Sequence, residues 1–562
     1  MDNKTLLFQI EEKLKLIYEK DYNESYLDLM KKLISKWEDK DFKITDKVSE
    51  KNVYLITYGD SFYNEGEKTL STLNYFLKEN VEDAITDVHL LPMFEYTSDD
   101  GFSVVDYMKI DENLGDWNNI KELSKDYRLM FDFVANHMSK SSEWFKGYIN
   151  DEEEYKNFFI KEYKNFDYNN VVRPRTSPLF HSYEGNSGVK TAWTTFSEDQ
   201  VDLNFKDINV LEKMTDVLIN YAYNGATSIR LDAIGFLWKE SGTTCIHLQE
   251  THEVIKLWRI LLDYFKNNTQ IITETNVPHK ENISYFGSGI DEAHMVYQFT
   301  LPPLVLYTLT TKNSSKLTEW AKTIDKVSKD ATYFNFLSSH DGIGMRPVEG
   351  ILNDEEKEIL INKTLENGGK ISYKSNSDGS KSAYELNINY NDALINKDED
   401  IDEETQVNKI LGAHSILLSL IGVPAIYYHS LLGSRNYYKG VEESGINRRI
   451  NREKLNVKDI IEELKSDNRR NSIFEGMKKL IKVRKEESAF SPYATQKVLE
   501  LGEDLFGIER FNEETKDKIT FIINITNKEV DIPSNLIGLD ILTERKVEDI
   551  NTLKPYNFIW IK

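Results

Sequence analysis

Cysteine is nearly absent: Cys245 is the only one in 562 residues. No intrachain disulfide and no cysteine-built zinc site can form. Proline is scarce as well, with 11 residues against 27 glycines, which excludes a collagen-like repeat. Positive charge is in deficit, since 70 Lys and Arg face 94 Asp and Glu for a net charge of −24. Broad attraction to nucleic acid or anionic lipid is therefore not expected. Any anionic substrate must be met by a local cluster of Arg or Lys. No apolar run approaches the ~18 residues of a membrane span. The opening MDNKTLLFQIEEKLKLIYEKDY is amphipathic and charged rather than secretory, so a cytoplasmic protein is expected. HExxH, EF-hand, P-loop, GxSxG and dinucleotide fingerprints are missing too.

What the chain does have is 40% apolar and 12% aromatic residues, ample for a large core. Residues 1–50 show helical periodicity with alternating charge and predict an N-terminal helical extension. Eight short β-rich runs follow, separated by helical stretches. They lie at 53–58 (VYLITY), 88–94 (VHLLPMF), 129–134 (LMFDFV), 228–232 (SIRLD), 271–274 (IITE), 295–299 (MVYQF), 333–337 (YFNFL) and 424–428 (PAIYY). Continuously apolar strands alternating with helices predict an α/β fold, a closed (β/α)8 TIM barrel over 51–138 and 205–490. Two gaps exceed ordinary loops and predict insertions, a B domain at 139–204 and a second loop insertion at 342–397. Short alternating strands from 491 to 562 predict a C-terminal antiparallel β domain. The acidic stretch at 397–405 (KDEDIDEET) reads as a solvated face.

Polar residues close several of these apolar runs. Arg230 and Asp232 are two apart on the fourth, so alternation sends both to one face. They are either a nucleophile with its cation or a buried pair bracing the barrel. Glu274 ends the fifth run, where a desolvated carboxyl could protonate a leaving oxygen; a helix cap or solvated acid is the alternative. His137 ends the third run and His340-Asp341 the seventh. Neutral imidazoles there could donate to sugar hydroxyls, although a lone histidine is more often a satisfied core residue. Three carboxylates at one barrel mouth fit a retaining glycosidase, in which one attacks the anomeric carbon and another serves as acid and then base. Divalent-ion binding competes for the same residue types.

In the order DFVANH, IRLDA, ITETN and SSHDG, these segments resemble the four signature regions of the α-amylase-type glycoside hydrolases, family thirteen. That resemblance implies Asp232 as nucleophile, Glu274 as acid/base and Asp341 as transition-state stabiliser, with Arg230, His137 and His340 holding the sugar. Asp99-Asp100-Gly101-Phe102 followed by Asp106, the RPR at 173–175, and GINR ending at Arg448 resemble the sucrose phosphorylase subgroup. The subgroup implies that Asp99 pairs with Arg448 under the far end of the glucosyl ring and that Phe102 is an apolar platform. TETNVPHKENISYFG, SSHDGIGMRPVEG and SAYELNINYNDAL are similar to glucosylglycerate phosphorylases, and Tyr384-Glu385 stands where sucrose phosphorylases carry Tyr-Gln. Dimers are common in the subgroup, so a homodimer is admitted.

A phosphorylase must favour phosphate over far more abundant water, which calls for fixed cations on the acceptor side. Arg175, with Arg173 beside it, is the candidate; Tyr384 could add a hydroxyl, and Arg346 could meet phosphate or a glycerate carboxylate. A salt-bridged RPR turn is the alternative for the first pair, and a structural role is open for Arg346 and Glu385. The expected activity is reversible, retaining phosphorolysis of 2-O-α-D-glucosylglycerate to α-D-glucose 1-phosphate and D-glycerate. Inorganic phosphate is then a co-substrate, and no metal or organic cofactor is needed. Phosphorolysis of sucrose, sucrose 6-phosphate or glucosylglycerol is the first alternative, and an α-glucoside hydrolase or transglucosidase the second.

Overall fold

The computed structural model describes residues 2–265, 268–376, 379–395 and 401–562. Eight parallel strands close a barrel: β1 (Tyr54–Thr57), β2 (Asp87–Leu90), β3 (Arg128–Phe133), β4 (Ala226–Leu231), β5 (Gln270–Thr273), β6 (Met295–Tyr297), β7 (Thr332–Asn335) and β8 (Val423–Tyr427). Each strand pairs with its sequence neighbours, and β8 closes on β1 with Tyr54 opposite Ala425. All eight expected runs are represented. Every residue of these strands is buried except Arg128, which is why they read as unbroken apolar segments rather than alternating ones. The strands are shorter than several of the runs. β2 stops at Leu90, ahead of Pro92, which has no N–H to give a ladder.

Two helices precede the barrel and pack on its outside. In α1 (Asn3–Tyr18), Leu6, Ile10, Leu14 and Ile17 form one buried stripe at helical spacing. α2 (Glu24–Trp37) follows after a short turn. The barrel helices they meet are α3 (Ile208–Tyr223) and α4 (Gln249–Tyr264). Lys13 reaches Glu253 of α4 at 2.7 Å, and the Trp37 indole donates to Asp216 of α3 at 2.7 Å.

The B segment leaves the end of β3. It holds a helix (Glu143–Ile149) and a hairpin (Phe180–Gly185 with Gly188–Trp193). Its return strand Gln200–Asp202 pairs antiparallel with His137–Ser139, so the insertion is stitched to its own root. The segment after β7 folds a three-stranded sheet (Ile343–Gly344, Lys381–Asn387, Lys370–Ser375) with a helix at Asp354–Glu366. Gly342 lets that sheet lie against the end of β7; a Cβ there would stand 2.9 Å from the Glu385 Cβ. Of the acidic stretch 397–405, residues 397–400 lie outside the described residues. Asp402 to Glu404 are exposed, and Asp402 caps the helix Glu403–Ser419. The C-terminal region forms a six-stranded sheet joined throughout by antiparallel pairs. It is fixed to the barrel by Arg510 and Trp560, which donate to Ser419 at 2.9 and 2.8 Å. Among the described residues no helix is long and apolar enough to cross a membrane.

Candidate active site

The C-terminal ends of the barrel strands converge on one pocket. Its floor is charged. The Arg230 Nη1 atom lies 2.7 Å from Asp132 Oδ1 and 2.8 Å from Asp232 Oδ1, while its Nη2 is 3.8 Å from Glu274 Oε2. Asp132 is held on its other side by His89 at 3.0 Å. One fully buried guanidinium therefore gathers three carboxylates from β3, β4 and β5. This is a geometry that leaving any one of them unpaired would penalise heavily. The rings of Phe102 and Tyr297 face the same guanidinium at 5.8 and 5.3 Å.

The two carboxylates at the mouth are not equivalent. Burial pushes the Glu274 carboxyl up to about 8, against the pull of Arg230 and with the added push of Asp232. A backbone N–H from Ala233 meets Glu274 at 2.8 Å, delivered by a turn in which Ala233 adopts the left-handed φ of 47°. Burial also raises Asp232, to about 7, but Arg230 bonds it directly and draws it back. The proton the pair retains near neutrality thus belongs on Glu274, leaving Asp232 ionised. Asp341 is the third carboxylate. Burial would raise it, yet Arg448, His340 and Arg452 override that and hold it far below the usual carboxylate range.

Asp99, Phe102, His137 and His340 line one part of the pocket. Phe102 stacks on the His340 ring with centroids 4.8 Å apart and planes 5° from parallel. His137 Nε2 is 3.0 Å from the Phe102 carbonyl. Burial drives both imidazoles down, so both are neutral near pH 7. The two insertions supply further lining. Arg175 from the B segment lies between the rings of Phe196 and Tyr384, 5.6 and 5.3 Å from their centroids, and pairs with no carboxylate among the described residues. Arg346 also lines the pocket, with a buried Nε that has no partner among the described residues and its Nη2 4.0 Å from Glu281. Among the described residues no three His, Cys, Asp or Glu side chains are grouped so as to hold a metal ion.

Residues 71–366 match the alpha amylase catalytic domain family. A glucosylglycerate phosphorylase from Spirochaeta thermophila is 46% identical over 509 residues, spanning 89% of this chain and 86% of the relative. One from Escherichia coli is 44% identical over 519 residues, spanning 91% and 92%. The chain belongs to the α-amylase family, among the glucosylglycerate phosphorylases. A sucrose phosphorylase from Streptococcus mutans stands further off, 28% identical over 89% of this chain and 98% of the relative. The fold is shared with the crystal structure of sucrose 6F-phosphate phosphorylase from Thermoanaerobacter thermosaccharolyticum. Its TM-score is 0.74 at 24% identity, covering 89% of this chain and 98% of that one.

Two details differ from what the sequence suggested. Arg448 does not pair with Asp99; its guanidinium is taken by Asp341 at 2.6 Å and by Glu385. The cation facing Asp99 is Arg452, 3.5 Å from Asp99 and 2.7 Å from Asp100, with its Nε donating to the His340 carbonyl at 2.7 Å. Arg173 also stays out of the pocket, because its Nη2 is spent on the Ser177 carbonyl within the RPR turn. Of that pair only Arg175 lines the cavity. Several lining residues were not singled out from sequence. Gln200 donates to Asp99 and to the Phe102 carbonyl, both at 3.2 Å, and Asn276 presents a buried, unpartnered Oδ1. For Arg452 a signal existed: INR occurs twice in INRRINR, four residues apart.

Proposed function

We propose that the chain catalyses the reversible phosphorolysis of 2-O-α-D-glucosylglycerate to α-D-glucose 1-phosphate and D-glycerate, with retention. Asp232 attacks the anomeric carbon while Glu274 protonates the departing glycerate oxygen, and a covalent glucosyl ester forms on Asp232. Phosphate then enters the vacated side and attacks that carbon. It gives its proton to Glu274 as the Asp232 ester breaks, so both carboxyls return to their starting states and the step runs equally in reverse. Asp341 steadies the oxocarbenium-like charge, Asp99, positioned by Arg452, grips the far end of the ring, and Phe102, His137 and His340 hold its body. Inorganic phosphate is the co-substrate, and the chemistry calls for no metal or organic cofactor. The proposal includes a cytoplasmic location and admits a homodimer.

The observation that carries phosphorolysis over hydrolysis is the Arg175 guanidinium, which lines the same pocket as Asp232 and Glu274 and pairs with no carboxylate among the described residues. Once Glu274 has lost its proton it repels an incoming anion, and the −24 charge of the chain gives no help. A guanidinium free of carboxylates offers charge and a two-pronged fit to phosphate where they are needed. Arg346 is a second cation for phosphate or for the glycerate carboxylate. The test is release of glucose 1-phosphate from glucosylglycerate with and without phosphate. It is joined by synthesis from glucose 1-phosphate with glycerate, glycerol, fructose or fructose 6-phosphate. Glucose release that needs no phosphate would mean a hydrolase, and a clear preference for fructose would overturn the acceptor.

A further inference from the structure

Arg448 sits where the two halves of the pocket meet, and its bonding is lopsided. Its Nε and Nη2 edge grips Glu385 twice, at 3.0 and 2.5 Å, while its remaining corner, Nη1, rests on Asp341 at 2.6 Å. Glu385 cannot easily yield. It lies in the central strand of the insertion sheet, flanked by Gly344 and Ser372, with its side chain almost fully buried. A Cβ at Gly342 would collide with it. Asp341 is the partner with other duties, since it also faces the sugar pocket. Tyr384, the residue before Glu385, faces Arg175 on the acceptor side. One strand therefore holds Arg448 with one residue and borders the anion-facing wall with the next.

We propose that Arg448 couples the glucosyl site to the oxyanion site. With its Nη1 corner held by Asp341, Arg448 offers an entering anion a guanidinium already shared between two carboxylates. A bound glucosyl ring takes Asp341 with its hydroxyls and releases that corner. Glu385 is the positioning residue that keeps the rest of the guanidinium in place while Nη1 turns to the anion. Phosphate is thereby favoured after the sugar has arrived, and an anion entering an empty pocket is held weakly. This rests on the phosphorolytic function proposed above and adds to it an order of binding.

The experiment uses the full chain carrying Asp232→Asn, which cannot form the glucosyl ester, with 1,5-anhydroglucitol as the glucosyl-site probe and inorganic phosphate as the anion. Calorimetric titration should show phosphate binding roughly tenfold tighter when anhydroglucitol is saturating, and by reciprocity the same factor in the other direction. Adding Glu385→Gln should bring that factor to within about twofold while anhydroglucitol alone still binds, because an unanchored Arg448 reaches phosphate in either state. Arg448→Lys, whose single ammonium cannot hold Glu385 and reach an anion together, should do likewise. Equal phosphate affinity with and without anhydroglucitol in the Asp232→Asn protein overturns the coupling, as does undiminished coupling in either double variant. If wild-type enzyme makes glucose 1-phosphate and yet the coupling is absent, only the binding order falls. If wild type ignores phosphate, phosphorolysis itself falls.

Discussion

Replacing Arg175 with Met removes a guanidinium that no carboxylate claims, while the unbranched side chain still fills the gap between Phe196 and Tyr384. Hydrogen bonds to a charged group contribute about 1.5–3 kcal/mol each. Arg175 is half-buried, so water would replace part of what it gives, and the lower end of a two-pronged contact applies. A loss of about 1.5–3 kcal/mol corresponds to roughly 10- to 100-fold in kcat/KM for phosphate. Formation of the glucosyl ester involves no phosphate and should be nearly untouched. The assay measures initial rates of glucose 1-phosphate release over a range of phosphate at saturating glucosylglycerate, beside glucose release with phosphate omitted. The variant should shift toward hydrolysis. A phosphate kcat/KM within about threefold of wild type, with an unchanged ratio of phosphorolysis to hydrolysis, would refute the role given to Arg175.

Four further outcomes follow from the geometry. Glu274, raised from 4.5 to about 8, stays protonated up to that pH, so kcat/KM for the glucoside should fall above pH ~8 and Glu274→Gln should abolish this limb. The same raised carboxyl favours the folded state below its unfolded value and loses that contribution as pH climbs from about 4.5 to about 8; Glu274→Gln should therefore melt higher relative to wild type at pH 9 than at pH 5. Arg452→Lys should raise the KM for glucose 1-phosphate about tenfold, through loss of contacts to Asp99, Asp100 and the His340 carbonyl, with the phosphate dependence unchanged. Arg230→Ala strands Asp132 and Asp232 in a buried site and should destabilise the fold by about 3–5 kcal/mol in denaturant titration.

The barrel was legible in the sequence because burial on both faces writes eight unbroken apolar runs, and a polar residue ending such a run has few reasons to be there. Asp232, Glu274 and His340-Asp341 are singled out on that ground, each with a structural alternative, and the family resemblance gives them roles. The arginines did not sort themselves in the same way. Arg448 and Arg452 occupy equivalent places in a repeated INR, and only the 3-10 turn at Asn447–Asn451 decides which faces Asp99 and which faces Glu385. Arg173 and Arg175 are likewise separated by a single proline, and the local turn turns one inward and ties the other to a carbonyl. Positions two or four apart in irregular backbone carry no periodic signature, so their directions come from tertiary packing. Gln200 was hidden for a related reason: it reaches the site only because the B segment returns to pair with its own root.

The division of labour between barrel and insertions has an evolutionary consequence. Groups proposed to cleave the glycosidic bond are rooted in strands whose register is locked by ring closure, whereas those proposed to border the incoming partner ride on two peptide excursions outside that ring. Grafting those excursions from one lineage to another could retarget glucose transfer to a new recipient while the bond-breaking apparatus stayed intact.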